Sequence, residues 1–291
     1  GGTGFIGRAL AKELQKQSIQ TCTVSRMPAP NSITWTELLE KGLPGEVDAV
    51  VNLSGQNVLD PLRRWTDGFR QNVVSSRVET NRMLSASIRQ CRHSAPPKVF
   101  ITISGVGYYP PHPSEEYTED SPGGDYDFLS RLCRQWEDAC QVGPETRTIA
   151  VRSGIVLGKG GGMIQSMYPL FYLGLGAKIG SGTQYMPWIH LHDLVAILIE
   201  AMRNEKLSSG VINGTAPQLI TNAQFTKAFG RAMWRPAVFT VSERVVEMVF
   251  GEERAVMMTQ GQKVHSKRLE ELGFKFQYPD IDSALKQVVS G

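Results

Sequence analysis

The residues that most restrict what this chain can become are its first seven, Gly1-Gly2-Thr3-Gly4-Phe5-Ile6-Gly7. Glycines at the spacing G-x-x-G-x-x-G let backbone approach a diphosphate more closely than side chains would allow. The following residues read as a helix over 5–17, with Ile6, Leu10 and Leu14 at i, i+4 and i+8 forming one apolar face. Such a helix points its unpaired N-terminal N–H groups and the positive end of its dipole at the anion. A glycine triplet by itself is a weak signal, because tight turns contain glycine everywhere. Its weight comes from the strands and helices downstream of it. A fingerprint of this kind follows a strand, so the expectation is a central strand just before Gly1, outside the numbered sequence.

Residues 19–25, Ile-Gln-Thr-Cys-Thr-Val-Ser, are β-branched and read as a strand. The end of that strand selects the cofactor. A unit for NAD places Asp or Glu about 20 residues past the glycines to hold the ribose 2′-hydroxyl. Here Ser25-Arg26 stand in that place, with no acid beside them. A hydroxyl and a planar guanidinium suit a 2′-phosphate, so the pattern points to NADP.

The alternation continues. Residues 47–53 form a nearly continuous apolar run, as a buried parallel strand should, and lead into Ser54-Gly55. A long helical stretch is expected over 61–92, with Val73, Val74, Val78, Leu84 and Ile88 on its core face. Asn72 and Arg77 fall on its other faces, turned to the cofactor or to solvent. Residues 99–104 make the next strand, which ends in Ser104-Gly105-Val106-Gly107-Tyr108-Tyr109. Open α/β sheets place their chemistry at the carboxyl ends of strands. The polar loop 110–124 is expected over that site, followed by a helix over 125–141 and a strand over 146–151. The implied class is α/β, a Rossmann-type doubly wound parallel sheet.

After Arg152-Ser153-Gly154-Ile155-Val156-Leu157-Gly158 the composition shifts to a glycine-dense stretch, 158–182. Met163, Met167, Leu170 and Phe171 at helical spacing indicate that part of it packs. His190 and His192, two apart in an extended segment, share a face, but no third ligand is evident and no metal is expected. A helix runs on from there to about 203. Thr221-x-x-Gln224 has the spacing of a capping box and starts a helix to about 233. Helices over 242–250 and 282–289 come after it. The expected division is an NADP-binding Rossmann domain over 1–157 and a smaller mixed substrate-side lobe over 158–291, parts of which return to the sheet.

With 291 residues, 41% hydrophobic and 20% charged, the composition is that of an ordinary globular protein. A net charge of +3 without a basic stripe argues against nucleic acid as a partner. Cys22, Cys91, Cys133 and Cys140 form no C-x-x-C pair, which fits free thiols in a reducing, cytoplasmic setting. No apolar run approaches the ~18 residues of a membrane span, so a membrane partner is not expected. A targeting segment ahead of Gly1 is beyond what the sequence addresses. Asn52-Leu53-Ser54 and Asn213-Gly214-Thr215 match the glycosylation pattern, which a cytoplasmic protein would leave unused.

The glycine turn, Asn52-Leu53-Ser54-Gly55, the 152–158 segment, Pro187-Trp188-Ile189-His190 and Asn213-Gly214-Thr215-Ala216-Pro217 together resemble the extended, atypical short-chain dehydrogenase/reductases. Within that group the chain is most similar to the NAD-dependent epimerase/dehydratase-like branch of the 39U subfamily. The resemblance covers nearly the whole chain. It implies a Rossmann domain holding NADP and a C-terminal substrate-side lobe. By motif position, the implied cofactor shell is Gly1, Thr3, Gly4, Phe5, Ile6 and Gly7, then Ser25 and Arg26, Leu53 and Ser54, Asn72, Arg77 and Val156.

One departure from the pattern matters. Short-chain dehydrogenases usually carry Tyr-x-x-x-Lys on the helix after the serine-bearing strand, and the lysine lowers the tyrosine pKa. No tyrosine of this chain is followed four residues later by lysine, and no lysine occurs between Lys98 and Lys159. Taking Glu137 as the acid four beyond the usual lysine puts Leu129 and Cys133 in the catalytic places. Two readings remain. One is an NADP-dependent oxidoreductase on an unknown small-molecule substrate, with Ser104, Tyr108 or Tyr109 as proton donor. The other is a sensor or scaffold that binds NADP(H) without turnover.

Overall fold

The computed structural model describes residues 1–60, 63–91 and 95–291. The chain opens with α1 (Phe5–Lys16), β1 (Thr23–Ser25), β2 (Ser32–Thr34), α2 (Trp35–Lys41), β3 (Ala49–Asn52) and α3 (Asp67–Arg89). Next come β4 (Val99–Gly105), a 3-10 turn (Val106–Tyr108), β5 (Glu116–Tyr117), α4 (Phe128–Asp138), β6 (Arg147–Ser153) and β7 (Ile155–Leu157). Beyond these lie α5 (Gly162–Tyr172), β8 (Ala177–Ile179), β9 (Trp188–His190), α6 (Leu191–Arg203), β10 (Gly210–Gly214) and α7 (Asn222–Ala232). The chain ends with β11 (Phe239–Val241), α8 (Glu243–Phe250), α9 (Glu252–Thr259), β12 (Lys263–Val264), α10 (Lys267–Glu271) and α11 (Ile281–Ser290).

The main sheet is wholly parallel, in the order β10-β6-β4-β3. Its strands are short apolar runs because helices cover both faces. Ile101, Ile103, Ile149, Val151 and Ile212 pack against α1 and α6, while Phe100 and Val50 face α2 and α3. Each fully buried side chain of this kind contributes roughly 1.5–3 kcal/mol. β1 and β2 form a separate parallel pair. Gly1 and Gly2 lie between the two sheets: a Cβ on Gly1 would overlap the Leu53 carbonyl, and one on Gly2 would come within 2.7 Å of the Thr23 side chain. A second core, with Phe171, Trp188, Phe225, Phe229 and Leu285, gathers around α5, α7 and α11.

Several elements are shorter than the periodicity suggests, and the causes are local. The strand expected over 19–25 is reduced to β1, because 17–19 close α1: Ser18 takes a left-handed φ of 58° and the Ile19 N–H donates to the Leu14 carbonyl at 3.0 Å. α3 begins after Thr66, whose hydroxyl caps the Phe69 N–H. Pro61 and Arg92, the ends of the expected stretch, lie outside the described residues. α4 begins after Asp127, its N-cap, which forms a capping box with Ser130. The capping box at Thr221 and Gln224 is present as read. Among the described residues no helix is long and apolar enough to cross a membrane.

Candidate cofactor and active site

The glycine turn is held by the Gly4 N–H donating to the Gly1 carbonyl at 2.9 Å, and α1 starts directly after Gly4. No side chain caps this helix and no acid sits in its first turn. The N–H groups of Phe5, Ile6 and Gly7 therefore have no acceptor among the described residues. They form an anion cradle supplied with the positive helix end. None of Gly2, Gly4 and Gly7 has a positive φ, so the need for glycine here is close packing. A Cβ on Gly7 would run into the carbonyls of Gly1 and Gly2. Thr3 is exposed, and its carbonyl accepts from the Arg8 guanidinium at 2.9 Å.

Phe5 explains a glycine run whose purpose the sequence left open. Its ring lies on the 158–162 turn, where a Cβ on Gly158 would come within 2.8 Å and one on Gly161 would overlap it. The fingerprint and the β7–α5 connection are thereby locked together. Val156 in β7 is half-buried, pairs in register with Ile189 and packs on the main core.

Around the turn, the Leu53 carbonyl touches Gly1, and the Ser54 N–H donates to Asn52 Oδ1 at 3.0 Å. Ser25 Oγ accepts from the Met27 N–H at 3.2 Å. Arg26 is exposed, close enough to Gly1 for its charge to act there, and has no hydrogen bond or ion pair among the described residues. Arg77 packs behind Gly55, donates to the Gln56 and Val73 carbonyls at 2.9 and 3.1 Å, and lies 5.0 Å over the Trp136 ring. No carboxylate pairs with it among the described residues, and burial pulls its pKa down to about 10. Asn72 is exposed on α3. Gly1, Thr3, Gly4, Phe5, Ile6, Gly7, Ser25, Arg26, Leu53 and Ser54 are thus assembled at one place, with Arg77 behind them and Val156 beyond Phe5.

The register of three strands builds the chemical end. Ser104 of β4 pairs with Arg152 of β6, which pairs with Asn213 of β10, so three polar residues stand in one row. α4 supplies Glu137 above them. Arg152 reaches it through Nε and Nη2 at 2.9 and 2.7 Å, and Ser104 Oγ donates to it at 2.6 Å. Burial opposes the charge of Arg152, but the Glu137 carboxylate outweighs it and the net direction of its pKa is up. Arg152 Nη1 donates to the Tyr109 hydroxyl, which donates to Asn213 Oδ1, both at 2.9 Å. Asn213 in turn is held by the His265 carbonyl and Glu119.

This network separates the three candidate donors. Tyr109 is 1% exposed and its hydroxyl is engaged in both directions; burial raises its pKa, with Arg152 partly offsetting. Ser104 is buried with its proton on Glu137. Both hydroxyls are engaged within the protein, Ser104 with Glu137 and Tyr109 with Arg152 and Asn213. Tyr108 differs. It is half-buried, its hydroxyl makes no hydrogen bond among the described residues, and the Arg152 guanidinium lies 3.3 Å from its ring centroid. Loop 110–124 folds back on it, with Gly123 and Gly124 against the ring and the Gly124 N–H on its carbonyl at 2.7 Å.

Residues 1–213 match the NAD dependent epimerase/dehydratase family, and residues 241–288 match a domain of unknown function (DUF1731). The chain belongs to the NAD dependent epimerase/dehydratase family. It is 47% identical over 292 residues to "Epimerase family protein SDR39U1" of Bos taurus, covering all of this chain and 98% of the relative. The crystal structure of the human epimerase family protein SDR39U1 (isoform2) with NADPH superimposes with a TM-score of 0.97 at 46% identity, covering 100% of this chain and 97% of that one. A nucleoside-diphosphate sugar epimerase from Corynebacterium glutamicum gives 0.76 at 28% identity, over 99% of this chain and 57% of the other. The similarity to the 39U branch therefore extends over the whole chain.

Within this family frame, α4 places Leu129 and Cys133 inward, 8% and 7% exposed. Burial, aided by Glu137, pushes the Cys133 thiol up to about 12, so it is neutral at ordinary pH. His192 does not share an extended face with His190. His190 ends β9 and caps α6 by accepting from the His192 N–H at 3.2 Å, while its Nε2 meets Gln287 Oε1 at 2.9 Å. The two asparagines of the glycosylation pattern, Asn52 and Asn213, are 2% and 0% exposed, and both amides are engaged. The sequence reading missed Glu137, Arg152 and Asn213 as a unit. One signal was present: Arg152 follows the apolar run Ile149-Ala150-Val151 of β6.

Proposed function

We propose that this protein is an NADP(H)-dependent oxidoreductase of the extended short-chain dehydrogenase/epimerase type, acting on a small molecule with Tyr108 as proton donor. The observation that carries the reading is the uncapped start of α1, where three unpaired N–H groups stand beside the unpaired Arg26. That donor set fits a diphosphate and a 2′-phosphate, and the human relative's structure is described as containing NADPH. The glycine turn would hold the diphosphate, Ser25 and Arg26 the 2′-phosphate, and Leu53, Ser54, Arg77 and Val156 the inner part of the cleft. Bound nicotinamide supplies or accepts a hydride. The protein's part is then to orient the substrate and move one proton. Tyr108 is suited to that because its phenol is unengaged while Arg152 and Gly123-Gly124 fix its ring.

A second reading, an NADP(H)-binding sensor or scaffold, is favoured by the neutral Cys133 and the fully engaged Ser104 and Tyr109. Turnover separates the two. Purified protein is given NADPH with a panel of carbonyl compounds, and NADPH absorbance is followed. Oxidation that falls at least a hundredfold in Tyr108→Phe, with NADPH affinity kept, supports the oxidoreductase. Tight NADPH binding with no oxidation by any carbonyl favours the sensor. Oxidation that is unchanged in Tyr108→Phe removes Tyr108 as the donor.

A further inference from the structure

Two neighbouring segments, remote in sequence from the glycine turn, carry large apolar side chains with no cover from the described chain. Leu170, Tyr172, Leu173 and Leu175 come from the end of α5 and the turn after it; Trp234 and Val238 come from the link between α7 and β11, and Phe239 opens β11. All are about half exposed or more, with Leu173 at 69%, Val238 at 76% and Trp234 at 89%. The segments touch. Arg235 Nε donates to the Tyr172 carbonyl at 2.9 Å and its guanidinium lies 5.3 Å over the Tyr172 ring. Pro236 packs on Gly174, and the Phe239 N–H donates to the Gly176 carbonyl at 3.3 Å. They form one patch, whose exposed side chains amount to something on the order of 800 Å² against roughly 300–600 Å² for the largest patch of a typical monomer.

Its shape and charge narrow the partner. Two of the three most exposed residues stand at turns: Leu173 precedes Gly174 (φ 75°), and Trp234 itself takes a left-handed φ of 56°, which a residue with a Cβ enters only under strain. Apolar tips at turns suit insertion into a soft phase better than a match to a flat protein face. No Asp or Glu occurs between Glu145 and Asp193 or between Glu205 and Glu243, so both segments lie in acid-free stretches. The charged residues they carry nearby are Lys178, Lys227, Arg231 and Arg235; Arg231 pairs with Asp282 at 2.7 Å, and Glu243 lies only at the margin, against Gly180.

We propose that this patch docks the protein on an anionic phospholipid surface, with Trp234 and Tyr172 at the headgroup boundary and Leu173 and Val238 towards the acyl chains. Amphipathic aromatic rings and basic side chains are the residue types such a boundary holds. A second copy apposed here would set Arg235 against Arg235 with no acid in the patch, which charge disfavours. Among the described residues no helix could span a membrane, and the lack of a spanning run is the ground on which no membrane partner is expected from the sequence; association with a surface needs no span. The proposal is independent of the NADP(H) reading.

Flotation of the full chain with vesicles of phosphatidylcholine alone, and of phosphatidylcholine mixed with phosphatidylserine, tests it. Binding to the mixed vesicles is expected, weakening with salt and with loss of phosphatidylserine. Leu173→Glu combined with Trp234→Glu should lower it by about tenfold or more. Arg235→Gln should lower it by roughly fivefold on mixed vesicles only. NADPH affinity and the melting temperature of these surface variants serve as folding controls and should stay unchanged. Absence of flotation at low salt, or equal flotation of the Glu variants, overturns the proposal. So does a dimer in light scattering that the Glu variants dissociate, which would give the patch to a second copy.

Discussion

Replacing Glu137 by Gln tests whether the row Ser104–Arg152–Asn213 holds the fold together or performs chemistry. Arg152 and Glu137 side chains are 5% and 13% exposed, and the carboxylate takes both Nε and Nη2 in a bidentate pair. An amide of the same shape leaves a buried guanidinium without counter-charge. It also turns an NH2 group towards one of the three donors, Nε, Nη2 or Ser104 Oγ, that the carboxylate satisfies. Removing one partner of a buried pair costs about 3–5 kcal/mol. For a chain of this length that is a drop in Tm of roughly 5–8 °C, read by calorimetry, with the free energy itself read by urea unfolding. The cofactor turn touches none of these atoms, so NADPH affinity should hold. Glu137→Leu with Arg152→Met should recover most of the loss, since apolar replacement of a whole buried pair is often neutral or better. A Glu137→Gln protein within about 1 kcal/mol of the parent would refute the reasoning.

Two further outcomes rest on the same geometry. Arg26→Ala should weaken NADPH binding by about tenfold or more, the worth of a charge-assisted contact of roughly 1.5–3 kcal/mol, while leaving NADH unchanged; calorimetry that finds equal losses for both cofactors would remove Arg26 from the 2′-phosphate site. His190, 1% exposed, has its pKa pushed down by burial to about 4, so the unfolded chain takes up its proton first as pH falls. Its contribution is fully present above about pH 6.5 and is lost between there and about pH 4, by about 3 kcal/mol at most. Urea unfolding between pH 7 and 5 should show that slope in the parent and a flatter one in His190→Asn. The carboxyl of Asp193, raised by burial, works in the opposite sense, so the slope is read as the difference between the parent and His190→Asn, both of which keep Asp193.

What the sequence disclosed was local, and so was what it got right. The helix after the glycines, the apolar strands over 47–53 and 99–104, and the Thr221–Gln224 box are each written within a dozen residues. The fate of Tyr108 and Tyr109 is not. A 3-10 turn at Val106–Tyr108 sends one ring inward to Asn213, 104 residues on, and leaves its neighbour half-buried. Periodicity cannot distinguish adjacent residues at the end of a strand. Arg152 and Glu137 were equally hidden, because their meeting depends on the register of parallel strands, which is set by packing across the sheet. His192 was misplaced for a simpler reason: the helix begins at Leu191, two residues earlier than an extended segment reaching His192 allows, with His190 as its cap.

The consequence for function is a narrowing. In most sites of this kind a cationic lysine beside the tyrosine both lowers its pKa and holds the ribose. On the motif placement that position falls to Cys133, whose thiol burial pushes up to about 12, so it is neutral at ordinary pH and supplies neither charge nor base. Two cations act on that thiol: Arg77, which has no carboxylate partner among the described residues, and Arg152, whose charge is matched by Glu137. Of the hydroxyls at the carboxyl end of β4, two are satisfied within the protein, and a satisfied buried group has nothing left to give a developing charge without first breaking a bond worth about 1.5–3 kcal/mol. Of Ser104, Tyr108 and Tyr109, only Tyr108 has a hydroxyl unengaged among the described residues, so Tyr108→Phe is the variant that discriminates first. If Tyr108 transfers a proton, Arg152 serves it through the face of the ring, a geometry that holds and polarises without a hydrogen bond, and replacing Arg152 by Met alongside Glu137→Leu would lower turnover while leaving the fold intact.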